Sequence, residues 1–299
     1  MSRDVPFVLV DVFADEPLSG NPLALVPDAE GLPVSTMRAI AREFNQSETT
    51  FLVRPTVRDA LWRLRSFTPI GAEVLGAGHN AMGAWIWLAA TDRLPVGETD
   101  FRQQIGDDVL PVRVLRNDGS PAVVSMEQSR PEFGATVSDS GELVAALGLV
   151  DSDMVAGEVA QTVSTGASHL LVPLRGRDAV DRARPDSARL LPALHAADAE
   201  GCYVYSLDPI AADVGSVAYA RFFNPTVGIS EDPATGTAAG PLVASLVAAG
   251  KVADRASVVV EQGYALGRPS KLAVTVAGEH VLLSGSGLVV AEGVLHLAE

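Results

Sequence analysis

Apolar and polar positions alternate at short intervals along most of the chain and shift to helical spacing in only a few places. Residues 5–13 and 23–26 read as strands around the turn DEPLSGNP, punctuated by Gly20, Asn21 and Pro22. Ser35 is a suitable N-cap for a helix through MRAIAREF, where Met37, Ile40, Ala41 and Phe44 recur at helical spacing, and the helix is expected to stop at Asn45. QSETTFLV follows, with Glu48 at the mouth of a β-branched and aromatic strand. Residues 58–67 alternate in strand fashion until Pro69 and Gly71 break the pattern. GAEVLGAGHNAMGAWIWLAA then reads as a glycine loop running into a helix that carries Trp85, Ile86, Trp87 and Leu88. PVRVLR and AVVSMEQ supply further strands up to a Pro- and Gly-bearing stretch at 130–134, near which the crossing between domains is expected.

The second half repeats this order loosely. ELVAALGL reads as a short helix, VAQTVSTGASHLLVPL as a strand pair through a Gly turn, and the residues around 186–195 as a helix. The strands GCYVYSL and VAYARFF lead into 222–249, FFNPTVGISEDPATGTAAGPLVASLVAA, where Glu231 and Asp232 enter a Thr-Gly-Thr turn before a long run of small and apolar residues. VVVEQG, KLAVTV and HVLLSGSGLVVAEGVLHL close the chain as strands and tight turns. Many short strands with a helix in each half predict α+β halves in which curved sheets wrap a helix. The expected domains are 1–118 and 119–299, with a C-terminal strand at about 285–299 that can pack back on the first half.

An internal comparison strengthens the two-half reading. Phe67-Thr68-Pro69 is followed by Gly78, His79 and Gly83, and Phe223-Asn224-Pro225 by Gly236, Thr237 and Gly240. Each is Phe-x-Pro, an acidic loop, a glycine, a polar residue, a second glycine and an apolar helix, as an old duplication would leave. The two helix N-termini are then expected to face one cleft. Backbone amides at such ends favour an anion, although the 222–249 segment alone fits a packed, capped joint equally well.

Composition narrows the function. The chain has 299 residues, 47% of them hydrophobic, and a net charge of −15, which excludes the basic surfaces that nucleic acids and anionic membranes require. Lys251 and Lys271 are the only lysines, so an anionic substrate must be held by arginine, amides or hydroxyls. Cys202 is the single cysteine and sits in a strand, which leaves no disulfide, Cys-pair zinc site or two-thiol mechanism. With no signal-like leader and no apolar run long enough to span a bilayer, the protein is expected in the cytoplasm.

GAGHNAMG lacks the GxGxxG spacing of a dinucleotide site, no GK[ST] occurs, and Gly285-Ser286-Gly287 lies outside the strand–turn–helix context of a hydrolase elbow. Of the histidines, His79 opens a predicted helix and His169 a strand, while His195, His280 and His296 are scattered and form no HxH or HxxxH pair for a metal. Acid–base chemistry by carboxylates and a histidine is what remains.

Five ordered blocks, VDVFADEPLSGNPLALV, NQSETTFLV, RSFTPIGAEVLGAGHNAMGA, FFNPTVGISEDPATGTAAG and EQGYALGRPSKL, together resemble the PhzF-like phenazine-biosynthesis isomerases, relatives of diaminopimelate epimerase, over essentially the full length. The resemblance implies an α+β, diaminopimelate epimerase-like fold of two pseudo-symmetric domains, each a curled, mostly antiparallel, barrel-like sheet around a central helix, usually dimeric and free of cofactors, and a place in secondary metabolism. It also implies Glu48 as general acid/base with His79 and Asp232 as further catalytic residues. Gly78, Asn80, Gly236, Thr237 and Asn21 are then the substrate-binding positions. In the family's reaction a proton moves between two carbons of dihydro-hydroxyanthranilate. The epimerase relatives use one cysteine per half; here His79 and Thr237 follow the loop glycines instead, which argues against two-thiol racemisation. Asn80-Ala81 and the loop GAEVLGA depart from the family's usual form, so the substrate can differ. The expected function is a cofactor-independent proton or double-bond shift on a small carboxylate-bearing metabolite by a cytoplasmic homodimer. The alternatives are an epimerase or lyase that begins with the same proton abstraction, or a non-catalytic binding protein.

Overall fold

The computed structural model describes residues 3–117 and 119–297. The chain separates into two compact units, one running to Met126 and resuming at Ser284, the other comprising Glu127–Leu283.

The first unit contains β1 (Arg3–Val12), β2 (Asn21–Val26), α1 (Val34–Phe44), β3 (Thr49–Val53), β4 (Trp62–Phe67), β5 (Glu73–Val74), α2 (His79–Ala90), β6 (Asp100–Ile105), β7 (Asp108–Asn117), most of β8 (Ser120–Gln128), and the C-terminal strand β18 (Gly287–Leu297). β18 and β2 flank β1 antiparallel; β3 lies parallel to β2, β4 antiparallel to β3, β6 parallel to β4 and β7 antiparallel to β6. α2 touches β18, β1, β2 and β3 and also β7, so the sheet curls around it. All of its residues but Ala90 are buried, and a helix so enclosed shows no apolar stripe. Gly83 permits the approach, since a Cβ there would lie 2.6 Å from Leu23 Cδ2 and 2.8 Å from Val12 Cγ2. α1 covers the sheet's other face with Met37, Ile40 and Ala41 against Val26, Phe51 and Phe67. It starts before Ser35: the Pro33 carbonyl accepts from the amides of Thr36 and Met37 at 3.0 Å, and Ser35 is the second helical residue rather than the cap. Asn45 ends it at φ 50°, a left-handed position that asparagine tolerates.

The second unit holds β9 (Glu132–Val137), α3 (Gly141–Ala146), β10 (Ala160–Ser164), β11 (Ser168–Pro173), α4 (Arg177–Arg182), α5 (Ser187–Ala196), β12 (Gly201–Ser206), β13 (Ser216–Asn224), β14 (Ile229–Asp232), α6 (Gly236–Ala248), β15 (Ser257–Gln262), β16 (Ser270–Ala277) and most of β17 (His280–Gly285). The stretch read as a domain crossing thus continues into β9, which pairs with β10. α5 starts where Asp186 caps the amides of Ala188 and Arg189. α3, α4 and α5 set Leu143, Val144, Val180, Leu190 and Leu194 into one cluster with Leu170, Val172 and Val204 of the sheet. α6 touches β10, β11 and β16 and is the buried counterpart of α2.

The pairing senses repeat. The run from β10 through β11, β12, β13 and β15 to β16 is antiparallel, parallel, antiparallel, parallel and antiparallel, the same as from β1 to β7. The echo between the two Phe-x-Pro loops therefore extends through the strand order of both units. Among the described residues no helix is long and apolar enough to cross a membrane.

Candidate active site

In the first unit, α1 ends at Phe44 and β3 begins at Thr49, which leaves Glu48 at the strand's entrance; α2 opens at His79 on the N-cap Gly78. These two element ends bring Glu48 Oε2 to 3.2 Å from His79 Nε2, at an orientation short of a proper hydrogen bond. The Glu48 side chain is 18% exposed, with Oε2 itself occluded. Removal from water disfavours the charged carboxylate and pushes its pKa up to about 7. Such a group is present in both protonation states near neutrality and can accept a proton and return it.

Asn80 ties the loop to the helix. Its Oδ1 accepts from the Gly78 amide at 2.8 Å, and its Nδ2 donates to Ser66 Oγ at 3.0 Å and to the Gly76 carbonyl at 3.1 Å. Thr50 completes the net, 2.9 Å from Ser66 Oγ and donating to the Asn80 carbonyl at 3.2 Å. The Asn80 amide is thus engaged with protein on every hydrogen, and the Gly78 amide already has an acceptor. Asn21 is fully buried as the first residue of β2, opposite Val12.

In the second unit the adjacent acids differ in role, because successive strand residues point to opposite faces. Glu231 makes a two-pronged pair with Arg221 at 2.8 Å on each arm, and Arg221 Nη1 also donates to the carbonyls of Val180 and Ala183. Asp232 instead accepts from Thr235 Oγ1 at 2.5 Å. Gln262, completely buried, clamps this loop. Its Nε2 donates to the Asp232 carbonyl at 2.7 Å and to Thr235 Oγ1 at 3.1 Å, while its Oε1 accepts from the Thr235 amide and the Tyr203 hydroxyl. Thr237, in the first turn of α6, lies 3.1 Å from Nε2 of His169 on β11. Gly236 and Gly240 fit where no side chain would: a Cβ would stand 2.3 Å from Leu283 Cδ2 and 1.8 Å from Gln128 Oε1 respectively.

The structure therefore gathers Glu48, Gly78, His79 and Asn80 in one unit and Asp232, Gly236 and Thr237 in the other. Sequence reasoning missed His169, Gln262 and Arg221. His169 and Thr237 are 68 residues apart, and nothing local in SHLLVP signals the contact. Cys202 is a core residue whose thiol burial pushes up to about 12, which makes it unreactive. Among the described residues no three His, Cys, Asp or Glu side chains cluster to hold a metal ion.

The repeat also gives Glu48 a positional counterpart in the second unit. Thr49 pairs with Phe67, and Cys202 with the matching Phe223, so the counterpart of Glu48 is Gly201. A Cβ on Gly201 would lie 2.4 Å from the Phe222 ring, which fills the space a side chain needs.

A family model described as phenazine biosynthesis-like protein, PhzC-PhzF, matches residues 10–293. The trans-2,3-dihydro-3-hydroxyanthranilate isomerase of Pseudomonas fluorescens is 35% identical over 298 residues, covering 97% of this chain and 99% of the relative. A crystal structure of the PhzF-family phenazine biosynthesis protein of Bacillus anthracis superposes with a TM-score of 0.88 at 26% identity, over 98% of this chain and 99% of that one. A hydroxyproline epimerase from Agrobacterium vitis, at 12% identity and a TM-score of 0.62 over 99% and 94% of the two chains, shares the fold alone. With curled sheets wrapped on buried helices and likeness to named isomerases along almost its whole length, the chain belongs to the phenazine biosynthesis-like PhzC-PhzF family and is an isomerase.

Proposed function

We propose that this isomerase shifts a proton, and with it a double bond, on a small carboxylate-bearing metabolite of secondary metabolism, and that it needs no cofactor. The observation that carries this reading is the occluded Glu48 carboxyl beside His79, with its pKa near 7. Glu48 takes a proton from a carbon next to a π system, the electron pair of that C–H bond moves into the π system, and the carboxyl returns the proton to another carbon of it. The product is an isomer, with no net gain or loss of atoms or electrons. His79 orients a polar group of the substrate from the opening of α2, and Asp232 serves the same end from its Thr235-held loop. The amide of Gly236 and the Thr237 hydroxyl bind the carboxylate, in place of the lysines that the chain lacks. Asn80 acts through the Gly78 loop it holds. Glu48 is assigned both transfers; the loop glycines are followed by His79 and Thr237 rather than by a pair of thiols, which speaks against a two-thiol epimerase. A homodimer working in the cytoplasm completes the proposal, and the charge of −15 suits neither a nucleic-acid nor a membrane partner.

The first substrate to test is trans-2,3-dihydro-3-hydroxyanthranilate, on which the named relative acts. In deuterated water the wild-type enzyme is expected to give isomerised product labelled at the receiving carbon, and Glu48→Gln to lose about 10²- to 10⁴-fold in turnover. Wild-type turnover by the variant would remove Glu48 from its role.

A further inference from the structure

We propose that His169 is a positioning residue that fixes the Thr237 hydroxyl as a hydrogen-bond donor for a carboxylate at the start of α6. This rests on the reading above in one respect, that Thr237 binds substrate. His169 is 2% exposed, its Nε2 lies 3.1 Å from Thr237 Oγ1, and its Nδ1 is buried without a hydrogen-bond partner. A neutral imidazole carries one ring proton. On Nδ1 that proton would leave a buried N–H with no acceptor, which folded proteins very seldom tolerate; on Nε2 it leaves only an unsatisfied lone pair, the cheaper defect. The proton therefore belongs on Nε2, and His169 donates to Thr237.

Having accepted from the imidazole, the Thr237 hydroxyl must direct its own hydrogen elsewhere. Its one partner among the described residues is His169, so that hydrogen is left for a ligand. It joins the amides of Gly236 and Thr237, which belong to the first helical turn and have no carbonyl one turn earlier to bond. A donor set of this kind suits an anion. Two features keep the arrangement from switching. Burial disfavours the imidazolium and pulls its pKa down to about 4, and the Phe222 ring packs edge-on at 4.9 Å from the imidazole. The proposed chain of donation is His169 to Thr237 to substrate carboxylate.

Two measurements test it. Long-range ¹H–¹⁵N spectra of the wild-type protein with labelled histidine are expected to show His169 neutral and protonated on Nε2 between about pH 6 and 8, well above its lowered pKa. A ring protonated on Nδ1, or charged in that interval, overturns the proposal. The second is binding of 3-hydroxyanthranilate, an aromatic carboxylate of the same skeleton with no sp³ carbon proton to move. His169→Phe is expected to bind it about 10-fold more weakly, the lower end for a hydrogen bond to a charged group. His169→Gln, whose amide can still donate, is expected to recover most of the affinity. In a Thr237→Val background the His169→Phe change is expected to add nothing. Unchanged binding in His169→Phe, or an equal loss in both backgrounds, overturns the inference. Unchanged binding in Thr237→Val removes the role of Thr237 and this inference with it. Failure of the Glu48→Gln test would instead leave the His169 spectrum and the binding series standing.

Discussion

At the scale of single residues, the burial that raises the Glu48 pKa also costs stability once the carboxyl is charged. Its folded-state pKa of about 7 exceeds its ordinary value of 4.5, so the fold prefers the protonated acid. That contribution is complete below pH 4.5 and is lost as pH rises through about 7. Glu48→Gln is therefore expected to be more stable than wild type at about pH 8, by at most about 3 kcal/mol given partial solvent access, and equally stable below about pH 4.5. Urea unfolding at the two pH values measures this; a variant less stable at pH 8 would mean that the carboxylate is not penalised by burial. The acid itself was legible in the sequence, since SETT places it at a strand entrance just after a helix. The partners of Glu231 and Asp232 were not, because nothing in two adjacent acids says which one strand alternation sends to Arg221 and which it leaves to Thr235. How Asn80 is held was not legible either: its three bonded partners follow from the loop's path, which the sequence does not specify.

Among elements, the start of α6 shows how packing fixes a loop. Gln128 donates to the Gly236 carbonyl at 2.9 Å and accepts from Thr165 Oγ1 at 2.8 Å, in a place that exists only because residue 240 has no side chain. Gly240→Ala is expected to evict Gln128, break both bonds and cost about 1–3 kcal/mol. Adding Gln128→Ala to it should cost much less than the sum of the two single changes, because the clash and the loss share one side chain. Fully additive unfolding energies would show that the two sites are independent. The Arg221–Glu231 pair supplies a second test. Arg221→Met strands a buried carboxylate and is expected to destabilise by about 3–5 kcal/mol, whereas Arg221→Met with Glu231→Leu should regain most of that, as read by thermal or urea unfolding. A double variant as unstable as the single one would place the role of Arg221 in its carbonyl contacts instead. The helix and its glycines were readable from spacing; the residues that lean on them, 108 and 37 positions from their partners, were not.

Over the whole molecule, two units share one order of strands and differ in their chemistry. The same order of pairing senses runs through both, so the fold class could be anticipated from two matching loops and a rhythm of short strands. The asymmetry is chemical: Glu48 has Gly201 as its counterpart, and Phe222 occupies the space that a second carboxylate would need. On the proposal that Glu48 is the one acid/base, it works only from the side of the substrate it faces, so the proton should leave and return on one face. A substrate deuterated at the carbon that loses the proton, turned over in ordinary water, is then expected to deliver part of its own deuterium to the receiving carbon, because a largely occluded carboxyl exchanges slowly with solvent. The fraction retained should fall when Glu48 is made more accessible, for example in His79→Ala. Complete washout in the wild-type enzyme, with label from solvent on both faces of the product, would require a second proton-transfer group and overturn the single-base reading.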